Sequence, residues 1–251
     1  MCATLSMGRV MLALLLCVSG LITAQKKTSS EQDLMDAVNR ERKARELPIL
    51  KWDEGLARAA YKHAELMAEQ KILEHQLPDE PELAVRAHDA GASFSHITEN
   101  IGVADWANAF HEGWMRSPGH RANILDPQID SIGISVVEEG QRLYAVEDFS
   151  FAVEPLSIEE QQKRVSEVLA ARGFHLLNIG DAKKFCESGK EVIGSRRPGY
   201  IARYKTSNIS QLPEDLEKQV HLPKFKSALV VACPQEEDTG FTSFRIIIVL
   251  Y

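Results

Sequence analysis

Residues 114–125, Trp-Met-Arg-Ser-Pro-Gly-His-Arg-Ala-Asn-Ile-Leu, constrain this chain more than any other stretch. Ala107, Phe110 and Trp114 recur every three to four residues, which places an amphipathic helix end against a core. Ser117-Pro118-Gly119 interrupts that helix, because proline cannot continue it and glycine frees the backbone. His120 follows directly and is expected beside a break, not inside a regular element. One imidazole fixed between apolar anchors reads as a site, although a histidine near a turn also serves structural or solvated roles.

The chain begins with a segment that reads as processing, not fold. Arg9 precedes an apolar run over residues 10–18, and Ile22-Thr23-Ala24 supplies a small-residue cleavage site. That is the pattern of a secretory signal peptide over 1–24, too short for a membrane span and with no stop-transfer segment after it. Cys17 offers a lipid-anchoring alternative, but Leu15 and Leu16 before it are bulkier than such sites use, so cleavage after Ala24 is preferred. Losing Arg9 takes the net charge from −7 to −8. An acidic chain gives no basic face for nucleic acid, and no such partner is expected. Cys186 and Cys233 then remain as an even pair in an oxidising compartment. They read as a disulfide, with two buried free thiols as the alternative.

Helical periodicity dominates the first half. Ser30 reads as an N-cap for a helix carrying Leu34, Ala37 and Val38, which stops before Pro48. Asp53 caps a second helix with Leu56, Ala59, Ala60, Ala64 and Met67 on one face. His63 on that face reads as a core or edge histidine. Residues 82–90 form a short helix ended by Gly91, and residues 94–103 are partly β-like, with Glu99 among apolar neighbours. A carboxylate so placed must be solvated, paired or metal-bound. After Pro127 the period becomes two: residues 132–136 and 143–151 flank a turn at 138–141, as in a β-hairpin. Pro155 marks a boundary, and Ser157 with Glu160 forms a capping box for the next helix. Strands are expected at 174–179, 199–205, 227–233 and 241–251, with a short helix from Pro213. The fold class is α+β. Residues 156–251 carry no chemical motif, no long internal repeat is visible, and Arg196-Arg197-Pro198 reads as a solvated loop.

Several motifs occur in an order that resembles the CAP superfamily (cysteine-rich secretory proteins, antigen 5, pathogenesis-related proteins) in its bacterial SCP-domain form. They are Val38-Asn39-x-x-Arg42 with Leu47-Pro-x-Leu50-x-Trp52-Asp53, then Glu99-Asn100-Ile101-Gly102, then the stretch from Trp114 to Leu125, and Tyr144-x-Val-x-Asp148-Phe149. The resemblance covers 31–154 and implies an α-β-α sandwich with a broad open cavity. It leaves 156–251 as a smaller α+β domain of unknown role.

In many family members two histidines and two glutamates line the cavity and bind a divalent metal. The resemblance carries over three of these positions, His75, Glu99 and His120, with Ser117 where the second glutamate belongs. The implied ligand cleft is therefore His75, Glu99, Ser117 and His120, and the implied metal ligands are His75, Glu99 and His120, with zinc as the implied ion. Two imidazoles and one carboxylate suffice to hold Zn²⁺ with one open position. A serine cannot replace a second carboxylate as general base. His88, His96 and His111 match no family position. The expected function is a secreted (extracellular or periplasmic), non-catalytic protein that binds an extracellular ligand such as a lipid, a wall component or a protein. The alternative is a metal-dependent peptidase or esterase using His75, Glu99 and His120.

Overall fold

Asn39 and Arg42, one helical turn apart, hold the start of the fold together. The structure, a computed structural model, describes residues 27–178, 186, 197–235 and 240–251. The expected signal peptide, Ile179 and Arg196 lie outside these residues. Helix α1 (Ser29–Lys43) opens on Thr28, not Ser30, because Glu31 stands where a reciprocal capping box with Thr28 can close. Asn39 binds Leu50 through both amide atoms, Oδ1 accepting from its N–H at 2.8 Å and Nδ2 donating to its carbonyl at 3.2 Å. Arg42, wholly buried, donates to the carbonyls of Pro48, Ile124, Asp126 and Ile129 at 2.8–3.2 Å. A guanidinium has enough rigid donors to satisfy four carbonyls at once. One side chain thus ties α1 to two distant turns.

The first sheet follows. Its strands are β1 (Lys51–Trp52), β2 (Phe94–Ala104), β3 (Ser131–Glu139) and β4 (Arg142–Ala152), in the order β1-β3-β4-β2. β1 runs parallel to β3, and the other pairs are antiparallel. Alternation sends Ile132, Ile134, Ala145 and Phe149 to one face. There they meet α1 and Phe110, Trp114 and Ile124 of helices α4 (Asn108–Arg116) and α5 (Pro118–Ile124). Ile101, Tyr144 and Val146 take the other face against Ala60, Ala64 and Met67 of α2 (Glu54–Gln70). Gly133 allows that packing: a Cβ there would lie 2.1 Å from the Ala57 nitrogen, so only glycine lets α2 rest on β3. The result is an α-β-α sandwich.

The second sheet repeats the first in topology. Its strands β5 (His175–Leu176), β6 (Tyr200–Thr206), β7 (Ser227–Cys233) and β8 (Phe244–Leu250) lie in the order β5-β7-β8-β6. Again the short first strand is parallel to the third, and the rest is antiparallel. Helix α6 (Ile158–Ala170), capped by Ser157 and Glu160, precedes β5 as α1 precedes β1. Helix α7 (Glu214–Val220) stands between β6 and β7, where α4 and α5 stand in the first unit. No repeat was visible in the sequence, because the two units share strand order and not motifs. Cys186 and Cys233 are joined by a disulfide spanning a separation of 47 residues. In the chain-entropy account such a loop contributes about 4 kcal/mol. No helix among the described residues is long and apolar enough to cross a membrane.

Replacing Arg42 by Lys keeps a positive charge but cannot serve four carbonyls. Urea unfolding should show a loss of about 3 kcal/mol or more, since buried carbonyls would be left without donors.

Candidate functional site

Glu99 sits on β2, the edge strand of the first sheet, with its side chain on the α2 face and only 3% exposed. Three cationic or imidazole groups converge on it. His75 Nδ1 lies 2.7 Å from Oε1, the Arg86 guanidinium binds Oε2, and His63 Nε2 lies 3.8 Å from Oε2. Each comes from a different element. His63 is in α2, Arg86 is in α3 (Leu83–Asp89), and His75 is in the connection between those helices. Glu80 orders that connection. Its carboxylate takes His63 Nδ1 at 2.9 Å and the Leu77 amide at 3.3 Å, and Arg86 Nη1 donates to the His75 carbonyl at 3.3 Å. His75 itself stays open to solvent, with its side chain 59% exposed.

His120 reaches the same edge from the opposite face of the sheet. The helix breaks at Ser117 as expected from sequence, but His120 does not lie outside a regular element. Pro118 takes the first position of α5, where its missing N–H is not needed, so His120 is helical. Asn100 Nδ2 donates to the His120 carbonyl at 3.2 Å. Asn123 Nδ2 donates to Asn100 Oδ1 at 2.9 Å and to the Glu99 carbonyl at 3.0 Å, and Trp114 Nε1 to the Ile101 carbonyl at 2.9 Å. The organising stretch therefore covers the free edge of β2, satisfying carbonyls that no neighbouring strand takes. Ser117 joins α4 to α5, and its side chain caps neither helix.

The electrostatics separate the two imidazoles. The hydrogen bond to Glu99 raises the His75 pKa and outweighs burial. Burial lowers that of His120, and the charge on nearby His75 lowers it further. Burial pushes the Glu99 carboxyl up, but the His75 hydrogen bond and the charges of Arg86, His63 and His75 carry it below its usual range. Directly behind, Asp148 pairs with Glu99 across the strands and Glu147 with Asn100. Burial, then the charge of Glu99, raises the Asp148 carboxyl well above its usual range. Burial raises Glu147 to about 8 against a hydrogen bond from Asn100.

The structure thus brings His75 and Glu99 into contact and sets His120 within range of the charge on His75. Glu99 differs from an open ligand, since one oxygen is engaged by His75 and the other by Arg86. Among the described residues no group of three or more His, Cys, Asp or Glu side chains is placed to share an ion. Sequence reasoning passed over His63 as structural, named Asp148 only within a family motif, and did not find Glu80, Arg86 or Glu147. Two signals were present: an arginine between the apolar positions of a short helix, and two acidic residues inside the apolar run from Tyr144 to Phe149. A cavity of about 310 Å³ bordered by Asp33, Arg40, Asn108 and His111 lies between α1 and α4. An open one of about 480 Å³ flanks α5 at Arg121, Asn123 and Asp126.

Residues 35–152 match the model of the CAP, or cysteine-rich secretory protein, family, so this N-terminal part of the chain belongs to the CAP family. Secretion is typical of that family. The membrane protein YlbC of Bacillus subtilis is 30% identical over 125 residues, covering 49% of this chain and 35% of that protein. The protein YkwD of the same organism is 31% identical over 111 residues, covering 44% and 43%. The chain spans less than half the length of these relatives. Among solved structures, an outer surface protein of Borrelia burgdorferi matches with a TM-score of 0.48 and 21% identity, covering 51% of this chain and 96% of that one.

Two measurements test these electrostatics. In a proton NMR titration, His75 should titrate above 6.5 and His120 below it. The lowered Glu99 value adds stability that is complete above 4.5 and is lost as pH falls through its folded value, whereas the raised His75 value adds stability that is complete below 6.5 and is lost as pH rises through its own. Glu147 has the same sign as His75. Its contribution is complete below 4.5 and is lost as pH climbs to about 8, at no more than about 1.4 kcal/mol per pH unit. Glu147→Gln should flatten the fall in melting temperature between pH 5 and pH 8.5.

Proposed function

We propose that the CAP domain is an extracellular, non-catalytic binding module whose contact point is the pair of imidazoles at the β2 edge. The observation that carries this reading is the state of Glu99. With one oxygen on His75 Nδ1 and the other on Arg86, Glu99 orients the His75 ring instead of meeting a ligand itself. Carboxylates set histidines in this way where imidazole must present its other nitrogen outward. His75 is exposed, and no hydrogen bond among the described residues engages the ring of His120.

Two imidazoles without a free carboxylate favour a ligand that brings its own donor or acceptor groups, such as a wall component, a lipid headgroup or a protein surface. A divalent ion such as Zn²⁺ would be held by His75 and His120, with Glu99 behind His75 and the ligand or water completing its shell. Such an ion would supply a Lewis-acidic anchor for the ligand. Glu99, engaged on both oxygens, offers little as a general base, which weighs against peptidase or esterase activity.

Calorimetric titration of the intact chain with Zn²⁺ at neutral pH tests the arrangement. The wild type should take up one ion, and His75→Ala and His120→Ala should each weaken uptake about tenfold or more, with further weakening below pH 6 as imidazole protonates. Equal heats for all three proteins would place the contact elsewhere. Peptide or ester turnover that is abolished by chelator and by both variants would replace the binding reading with hydrolysis.

A further inference from the structure

Residues 240–242, ahead of β8, touch two elements of the first unit. The Thr242 amide donates to the Phe94 carbonyl at 2.7 Å, and the Phe94 amide donates to Thr242 Oγ1 at 3.2 Å. The Phe241 ring meets the Phe94 ring edge-on, centroids 5.6 Å apart. Gly240 lies against the backbone of Ala84: a Cβ there would stand 2.3 Å from the Ala84 carbonyl oxygen, and its φ of +76° favours glycine.

Phe94 opens β2 and Ala84 lies in α3. These are the elements that carry Glu99 and Arg86, whose ion pair spans the gap between them. Both take part of their support at this end from the second unit. The register of β2 against β4 shifts between Phe94 and His96; Phe94 still pairs with Ala152, while its own N–H and carbonyl both bond to Thr242. Helix α3 has seven residues, too short to be stable on its own. Its apolar support is the small cluster of Ala87, Ala90 and Ala92 with Leu56, Ala59 and Phe94, and Phe94 is the residue that Phe241 covers.

We propose that Gly240, Phe241 and Thr242 are positioning residues: the second unit sets the spacing of α3 from β2, and through it the Arg86–Glu99 pair and the ring of His75. The inference concerns the same site as the binding reading but needs no ligand, so its test is independent of that reading.

The test uses the intact, ¹⁵N-labelled chain and compares wild type with Phe241→Ala, Thr242→Val and Thr242→Ser. Long-range proton–nitrogen spectra report the His75 ring nitrogens and the Arg86 Nε–H group. In Phe241→Ala and Thr242→Val, the His75 Nδ1 signal should move toward that of free imidazole. Amide exchange over residues 83–99 should rise about tenfold, which corresponds to about 1.4 kcal/mol. Exchange over 227–233 should stay at the wild-type rate. Thr242→Ser, which keeps the hydroxyl, should match wild type in all respects. A merely structural contact would destabilise without moving the His75 signal. His75 and Arg86 spectra that superimpose on wild type in Phe241→Ala and Thr242→Val would overturn the proposal, as would Ser and Val variants that behave alike.

Discussion

A carboxylate on the inner face of a sheet can be held only if cations reach it, and Glu99 imposes that condition on everything around it. Burying an isolated carboxylate is costly, whereas an ion pair with further hydrogen bonds offsets much of the cost. Arg86 and His75 meet the need here, and both belong to the segment between α2 and β2 that is otherwise short of apolar anchors. Glu80 extends the same logic by holding His63 and the Leu77 amide. The fold of residues 71–90 is thus governed by polar pairing as much as by core packing. Asp148 stands next to this cluster, and burial with the charge of Glu99 raises its carboxyl well above the usual range, the direction that disfavours another buried negative charge.

The opposite face works by different means. Asn39 and Arg42 fasten α1 to turns far along the chain, and the gain comes from satisfying carbonyls that loops leave without partners. Trp114 and Asn123 do similar work at the edge of β2, each taking one outward carbonyl. His120 is carried to that edge by the same short helix. The groups that look most like a ligand motif in sequence are therefore largely groups that close the sheet. His75 and His120 arrive from opposite faces, His75 exposed and His120 half-buried.

The second unit repeats the strand order of the first. Its sheet is apolar on both faces, with Ala228, Val230, Ile246 and Ile248 on one side and Leu229, Val231, Ile247 and Val249 on the other. A disulfide ties Cys186 to β7. One topology is thus held in two ways, by a buried ion-pair network beside α2 and by apolar packing with a covalent link. The contact at Phe94 joins the two units where the first is least regular.

The sequence by itself determined the elements. Period and capping placed α2 from Asp53, α6 from Ser157, the β3–β4 hairpin and β7, because these depend on residues close along the chain. It also identified the family, through motifs whose order survives without coordinates. The first cap moved from Ser30 to Thr28, β1 was too short to show a period, and Pro118 began a new helix directly after the expected break. For the site, sequence supplied His75, Glu99 and His120, gave Asp148 only as part of a motif, and missed Arg86 and Glu80. Whether Glu99 faced a ligand or an arginine depended on which side of β2 it occupied and on where α3 came to rest. Only the tertiary structure decided that, because partners of a buried charge are chosen by spatial proximity, which local patterning does not encode.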